Sequence, residues 1–340
     1  MSKEKVLYIG NKLGKNPRST VTTLDVLSSH LEREGFTVYS ASAKQNKILR
    51  LIDMLFSVFK YRNKVDVVLI DTYSTMNFHY AVAVANLCRL FRLPYVPVLH
   101  GGNLPRRLRN NRSLSYKLFN GAKTNVAPSK YLMDAFAAEG YHNLTYIPNS
   151  VEIERYSFLP RKEIRPKLLW VRSFAEIYNP ILALQVVEKL KKDFPDASLC
   201  MIGPEKDGSL QKCKAYATEH QLPVIFTGML SKEAWRQRSR DYDIFINTTN
   251  FDNMPVSVME AMALGLSVIS TNVGGIPYLI KDHQDGLLVL PDHRDQFVNA
   301  IHKLCTNNDL ARSLSTNARK KAEGFDWQNI KQHWLTLLRE

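Results

Sequence analysis

The chain has 340 residues, 45% hydrophobic and 23% charged, with a net charge of +14. That length is about twice a usual domain and that apolar share builds real cores, which excludes a disordered chain and sets two packed domains as the expectation. No run of about 18 uninterrupted apolar residues could cross a membrane as a helix, and MSKEKVLYIG enters a strand-like run directly, so a cytosolic location is expected.

Charge and cysteines narrow this further. Residues 1–165 carry 25 Lys and Arg against 12 Asp and Glu, whereas residues 166–340 carry 21 against 20. An excess confined to one half suggests that this half meets something anionic, such as a phospholipid surface, a phosphorylated acceptor or nucleic acid; a merely solvated basic face is the plainer alternative. Cys88, Cys200, Cys213 and Cys305 stand at unrelated spacings with no C-x-x-C pair. They read as reduced, mostly buried thiols.

In chain order, the first half alternates short apolar runs with helical patterns: KVLYIG, a helix over 20–34, FTVYSA, a basic helix, VDVVLID, a helix over 80–91, YVPVLHGG and TNVAPS. The second half repeats the scheme with KLLWVRS, ASLCMIG, VIFTG, YDIFINTT, LSVISTN and GLLVL. Strands of four to seven apolar residues separated by helices predict βαβ units and parallel sheets, hence an α/β chain of two tandem Rossmann-like domains facing a central cleft. Two prolines and mixed charges interrupt the periodicity between Asn149 and Lys167. The expected division is 1–155, 156–322 and a closing helix over 323–340 that packs back on the first domain.

Several short segments carry candidate chemistry. GNKLGKN, residues 10–16, looks like a phosphate loop, but its glycines are one residue too close and no Ser or Thr follows Lys15, so the Walker reading fails. His100 ends a strand and is followed by Gly101 and Gly102, which let a ligand approach the backbone. Lys44 to Lys64 mixes apolar residues with six Lys or Arg, and Arg106, Arg107 and Arg109 follow His100; both segments suit an anionic membrane surface or a phosphorylated acceptor, against the plainer reading of packed helices with solvated basic faces. Asp241-Tyr242-Asp243 imitates a metal-binding D-x-D but sits at a helix-to-strand junction.

The strongest candidate is NTTNFDNMPVSVMEAMALGLSVIST, residues 247–271. A strand ends near Asn247, and Pro255 suits the first turn of a helix that carries Glu260 and ends at Gly265. Its free N–H groups form an anion site, flanked by the carboxylates of Asp252 and Glu260, each able to bind a pair of sugar hydroxyls. Spacing by itself equally allows a capping Asp252 and a surface Glu260.

This segment, with STNVGGIPYLI after it, resembles the donor-binding signature of family 4 retaining glycosyltransferases: two glutamates separated by seven residues, then an A-M-A-x-G helix end. NVAPSKYLMDAF, IPNSVE, LLWVRSF, MIGP, FTGMLSKEAW and the FDW-led closing helix extend the resemblance over nearly the whole chain. It implies a GT-B fold and metal-independent, retaining transfer of a hexosyl unit from a nucleoside diphosphate sugar to an acceptor hydroxyl, in polysaccharide or glycolipid assembly, with no cofactor besides the donor. Glu260 matches the acid that holds the ribose. Asp252 replaces the acid that holds the transferred sugar, one methylene shorter, which puts sugar preference in question.

Arg172 matches the arginine that clamps the diphosphate. The family's following lysine is absent, its positions taken by Ile177 and Tyr178, and Lys206 in the Gly203–Lys206 loop is the candidate substitute. His100 matches a histidine that reaches the transferred sugar, and Gly14 lines the cleft. Asn253, Met254 and Pro255, with Met229 and Leu230, complete the expected donor set. A catalytically silent protein binding nucleotide sugar or polysaccharide is the principal rival, an epimerase of the same fold a more distant one. No recognition motif supports a nucleic-acid partner.

Overall fold

The computed structural model describes residues 4–12 and 22–340. It divides into two units, Met1–Pro148 with Lys331–Glu340, and Asn149–Ile330.

The first unit is built on six parallel strands, β1 (Lys5–Ile9), β2 (Thr37–Ala41), β3 (Val67–Thr72), β4 (Tyr95–Leu99), β5 (Asn125–Ala127) and β6 (Leu144–Tyr146), in the order β2-β1-β3-β4-β5-β6. Helices α1 (Thr23–Arg33), α2 (Lys47–Tyr61), α3 (Asn77–Leu90), α4 (Leu104–Asn110), α5 (Arg112–Phe119) and α6 (Lys130–Ala138) connect them. β3 and β4 are buried along their whole length, as strands covered by helices on both faces must be. β6 has no counterpart in the sequence reading, because three half-buried residues carry no periodicity.

The second unit repeats the plan with β7 (Lys167–Val171), β8 (Ser198–Ile202), β9 (Val224–Gly228), β10 (Ile244–Asn247), β11 (Ser267–Thr271) and β12 (Leu287–Val289), ordered β12-β11-β10-β7-β8-β9. Its helices are α7 (Pro180–Leu190), α8 (Ser209–Glu219), α9 (Lys232–Arg238), α10 (Val256–Ala263), α11 (Ile276–Leu279), α12 (Arg294–Thr306) and α13 (Asn308–Glu323). The predicted pair of Rossmann-like α/β folds is therefore present.

In each sheet the winding reverses once, between β1 and β3 and between β7 and β10. At such a reversal the loops leaving neighbouring strands diverge, and ligands of doubly wound folds bind at that carboxyl edge. The closing helix α14 (Trp327–Arg339) ends in the first unit. There Lys123 Nζ donates to the Leu337 carbonyl at 3.0 Å and Arg339 pairs with Glu4 at 3.2 Å.

Candidate active site

Arg172 leaves β7 at the reversal of the second sheet. Its backbone N–H donates to the Ile202 carbonyl at 3.0 Å, and the chain beside it must be glycine. A Cβ on Gly203, whose φ is +155°, would stand 1.7 Å from the Arg172 carbonyl oxygen. The guanidinium lies against the Asp252 carboxylate and 4.6 Å from the Tyr178 ring centroid. Burial lowers its pKa from the ordinary value, an effect that the neighbouring Tyr178 opposes. Arg172 Nε has no hydrogen-bond partner among the described residues.

Asp252 and Asn253 form the loop before α10, and the Gly274–Gly275 pair fixes that loop. Gly275 N–H donates to the Asp252 carbonyl at 3.0 Å. A Cβ on Gly274 or Gly275 would approach the carbonyl oxygens of Asp252 and Asn253 to 2.1 and 2.0 Å. Asn253 and Met254 are buried beside them, and Asn149 holds the Met254 carbonyl at 2.9 Å. Pro255 caps α10 without a side-chain bond, and no acid stands in the first turn. The Ser257 hydroxyl in that turn is buried and unpartnered. Free donors at the positive end of a helix favour an anion.

Glu260 lies further along α10 with its side chain 4% exposed. A buried carboxylate needs compensation, and Oε1 receives it from Tyr156 Oη at 2.5 Å and from Lys232 Nζ. Both bonds fall on Oε1, which leaves Oε2 for a ligand hydroxyl. Burial, then the Glu260 charge, push the Tyr156 phenol well above its ordinary pKa, so it stays a donor. Neither Tyr156 nor Lys232 was singled out from the sequence. They lie 104 and 28 residues from Glu260, and no local pattern links them to it.

Beside the reversal of the first sheet, where β1 carries Tyr8 and β3 carries Asp71, His100 follows β4. Its Nε2 lies 2.8 Å from Asp71 Oδ1, which also accepts a hydrogen bond from Tyr8 Oη at 2.8 Å. The His100 and Asp71 side chains are 6% and 2% exposed. Burial, then Asp71, raise the Tyr8 pKa well above the ordinary value, so the phenol donates. With the carboxylate engaging Nε2, the imidazole is left with Nδ1 for a ligand. Glycine is again a packing necessity, because a Cβ on Gly10 would stand 2.3 Å from Asp71 Oδ2 and one on Gly101 2.6 Å from the Ser74 nitrogen.

The remaining candidates are less engaged. Lys206 is exposed in a loop whose amides bind Glu205. Met229 and Leu230 are half-buried after β9, with Leu230 against the second unit's core. Arg107 is committed to the Ser74 carbonyl and to Asn111, while Arg106 and Arg109 are exposed. Gly14 lies outside the described residues. Asp243 is an internal anchor, paired with Arg161 at 3.4 Å and Arg165 at 2.9 Å. A recess of about 320 Å³ lined by Arg155, Arg161, Glu233 and Arg236 reaches Tyr156 only through Arg236, 5.3 Å from its ring centroid, and is not lined by the Arg172–Asp252 pair.

Two tandem Rossmann-like units are the GT-B plan, and in the second an arginine, a helix N-terminus and a buried acid gather at the switch point. Residues 154–321, nearly the whole of the second unit, match the model of glycosyl transferases group 1.

Sulfoquinovosyl transferase SQD2 of Arabidopsis thaliana is 26% identical over 43% of this chain and 28% of its own length. The Escherichia coli UDP-Gal:alpha-D-GlcNAc-diphosphoundecaprenol alpha-1,3-galactosyltransferase is 23% identical over 54% of this chain and 50% of its own. The chain thus spans half or less of these two relatives. HepE of Anabaena, solved in complex with UDP and glucose, superposes with a TM-score of 0.77 over 99% of both chains at 17% identity, which establishes the shared fold.

Proposed function

We propose that the protein is a retaining, metal-independent hexosyltransferase that uses a nucleoside diphosphate sugar, a UDP-hexose being the best supported, and glycosylates an acceptor hydroxyl in polysaccharide or glycolipid assembly. The observation that carries this reading is Glu260, a buried acid with one oxygen held by Tyr156 and Lys232 and the other available to a ribose, on the helix whose uncapped N-terminus adjoins Arg172. UDP-bound HepE and the galactosyltransferase relative support the donor class.

In this reading the second unit takes the donor, and the first takes a glycan or lipid-linked acceptor near Arg106, Arg107 and Arg109. The bond from the anomeric carbon to the diphosphate breaks and one to the acceptor oxygen forms on the same face, with the acceptor proton passing to the departing phosphate. Arg172 and the α10 N-terminus stabilise the developing phosphate charge, a task that needs no metal when fixed donors are already aimed at it. His100, oriented by Asp71, addresses the transferred sugar. No helix among the described residues is long and apolar enough to cross a membrane; the reading is of a cytosolic enzyme that works at the membrane periphery.

A panel of nucleotide sugars tests the donor. A ligand at about 100 times its Kd adds about 2.7 kcal/mol to the native state and raises Tm by several degrees. A panel without any shift would sink the donor site. The absent lysine at Ile177 and Tyr178, and the carboxylate on Arg172, favour the rival of a silent nucleotide-sugar binder. It predicts the same thermal shift with no Glu260-dependent release of nucleoside diphosphate.

A further inference from the structure

Helix α2 carries apolar side chains on two opposite faces. Met54 and Val58 are buried in the first unit's core, and Leu51, Leu55 and Tyr61 pack against it. On the other side Ile48, Ile52, Phe56 and Phe59 follow one another at i, i+4, i+8 and i+11, so they stand in one row with Leu49 alongside. They are exposed by 71, 55, 59 and 49%, and Leu49 by 55%. A surface helix ordinarily gives its outer face to polar residues.

The row continues onto a second element. Phe59 lies 6.1 Å from Phe91, just past the end of α3, whose last residue Leu90 is 73% exposed. Contiguous exposed apolar surface of this kind marks an interaction site.

The charges around the row select the partner. Lys44, Lys47, Arg50, Lys60, Arg62 and Lys64 lie within or beside α2, against a single acid in the helix, Asp53. Arg62 lies over the Phe59 ring at 4.0 Å and the Phe91 ring at 5.4 Å, which puts a cation at the edge of the apolar row.

We infer that α2 is an interfacial helix by which this protein docks on an anionic lipid bilayer, with the Ile48–Phe59 row in the acyl boundary and the flanking lysines and arginines among the phosphates. An apolar row with a basic rim is what such an interface requires. A second copy of this chain fits it poorly, because pairing two such faces would bring the basic rims of a half-chain with 25 Lys and Arg against 12 Asp and Glu toward one another. The inference stands apart from the donor site, since none of these residues touches Arg172, Asp252 or Glu260.

Vesicle sedimentation of the full chain tests it, with phosphatidylcholine vesicles compared with vesicles containing about 30% phosphatidylglycerol. Wild type is expected to bind the anionic vesicles at least about tenfold more strongly, and less as salt rises. Ile52→Ser with Phe56→Ser should lower that binding about tenfold or more by removing inserted apolar surface. Lys47→Glu with Lys60→Glu should bring binding to anionic vesicles down toward the phosphatidylcholine value.

All four side chains are exposed, so the variants should keep the nucleotide-dependent thermal shift of wild type or, should the donor reading fail, its unliganded Tm. Wild type that ignores anionic vesicles, serine variants that bind them as well as wild type does, or a dimer dissolved by the serine pair without vesicle binding would each overturn the proposal.

Discussion

Helices α8 and α10 start at the ends of β8 and β10, the strands that flank β7 in the second sheet, and they acquire opposite electrostatics. At α8 the Glu205 carboxylate accepts from the backbone N–H groups of Lys206, Asp207, Gly208 and Leu210 at 2.6 to 2.8 Å. That helix has already bound its anion. At α10 the cap is Pro255, no acid enters the first turn, and Ser257 Oγ is unpartnered. The same sheet edge thus offers one helix closed by its own side chain and one left open beside Arg172. What decides between them is where the acid of the approach loop turns: Glu205 caps the amides of its own helix, whereas Asp252 pairs with Arg172.

Substitutions can break this contrast, and the largest effect belongs to Arg172. Arg172→Ala removes the charge that shares the open helix end and leaves Asp252 unpaired. A loss of about 10² to 10³ in kcat/KM is expected, as for removal of one preorganised donor to a developing oxyanion, read by release of nucleoside diphosphate. A loss below threefold would move the diphosphate away from α10.

Glu260→Gln is next. It keeps the shape but strips the charge that Lys232 and Tyr156 compensate, and hydrogen bonds to charged groups contribute about 1.5–3 kcal/mol, so kcat/KM should fall about 10- to 100-fold with KM carrying much of it. Lys232→Ala should weaken donor binding in the same direction. An unchanged KM in both would separate Glu260 from the nucleotide.

Asp71→Asn sharpens the comparison by leaving the second unit untouched. Nε2 of His100 would lose its carboxylate while the ring keeps its place after β4. Turnover is expected to drop about tenfold by loss of positioning, with the donor-induced thermal shift unchanged. A variant that lost both together would point to general unfolding of the first unit.

These residues differ in how far they could be read from the chain. Strands such as VVLIDT and KLLWV announce themselves because both faces are buried over most of their length, which leaves an apolar run interrupted only by Asp71 and Thr72 at the end of one and Lys167 at the start of the other. Glu260 and Arg172 were singled out through the resemblance of their flanking motifs; spacing by itself left Glu260 equally readable as a surface carboxylate, and the structure buries it. Tyr156 and Lys232 were not legible, because their role exists only once α9, α10 and the 149–166 segment are packed together. The pairing of Asp252 with Arg172 was hidden for the same reason: spacing places both at the carboxyl edge without saying that they touch. Lys206 is the converse case, a residue whose place in the sequence does not say what it touches. It stands in a suitable loop, but the structure gives the amides of that loop to Glu205 and leaves the lysine exposed.

The smallest effects lie on the closed helix. Lys206→Ala should change donor affinity less than about threefold, because an exposed ammonium contributes under about 1 kcal/mol; a loss matching that of Arg172→Ala would make both loops part of the diphosphate site. Glu205→Gln should lower stability by about 1 kcal/mol or less, the scale of a surface helix cap, and leave donor affinity alone. Its pH dependence identifies the cause. Slight burial raises the Glu205 pKa, but the bonds from Gly208, Asp207, Leu210 and Lys206 outweigh it and the net shift is downward from 4.5. A carboxyl with a depressed native pKa stabilises the fold above its unfolded value and loses that contribution as pH falls through the native one. The gap in Tm between wild type and Glu205→Gln should therefore be full near neutrality, begin to narrow at about pH 4.5 as the unfolded chain takes up the proton, and close only below the depressed native pKa, where both states hold it. A gap that persisted at low pH would mean that Glu205 acts through packing, and the charge contrast between the two helices would lose its physical basis.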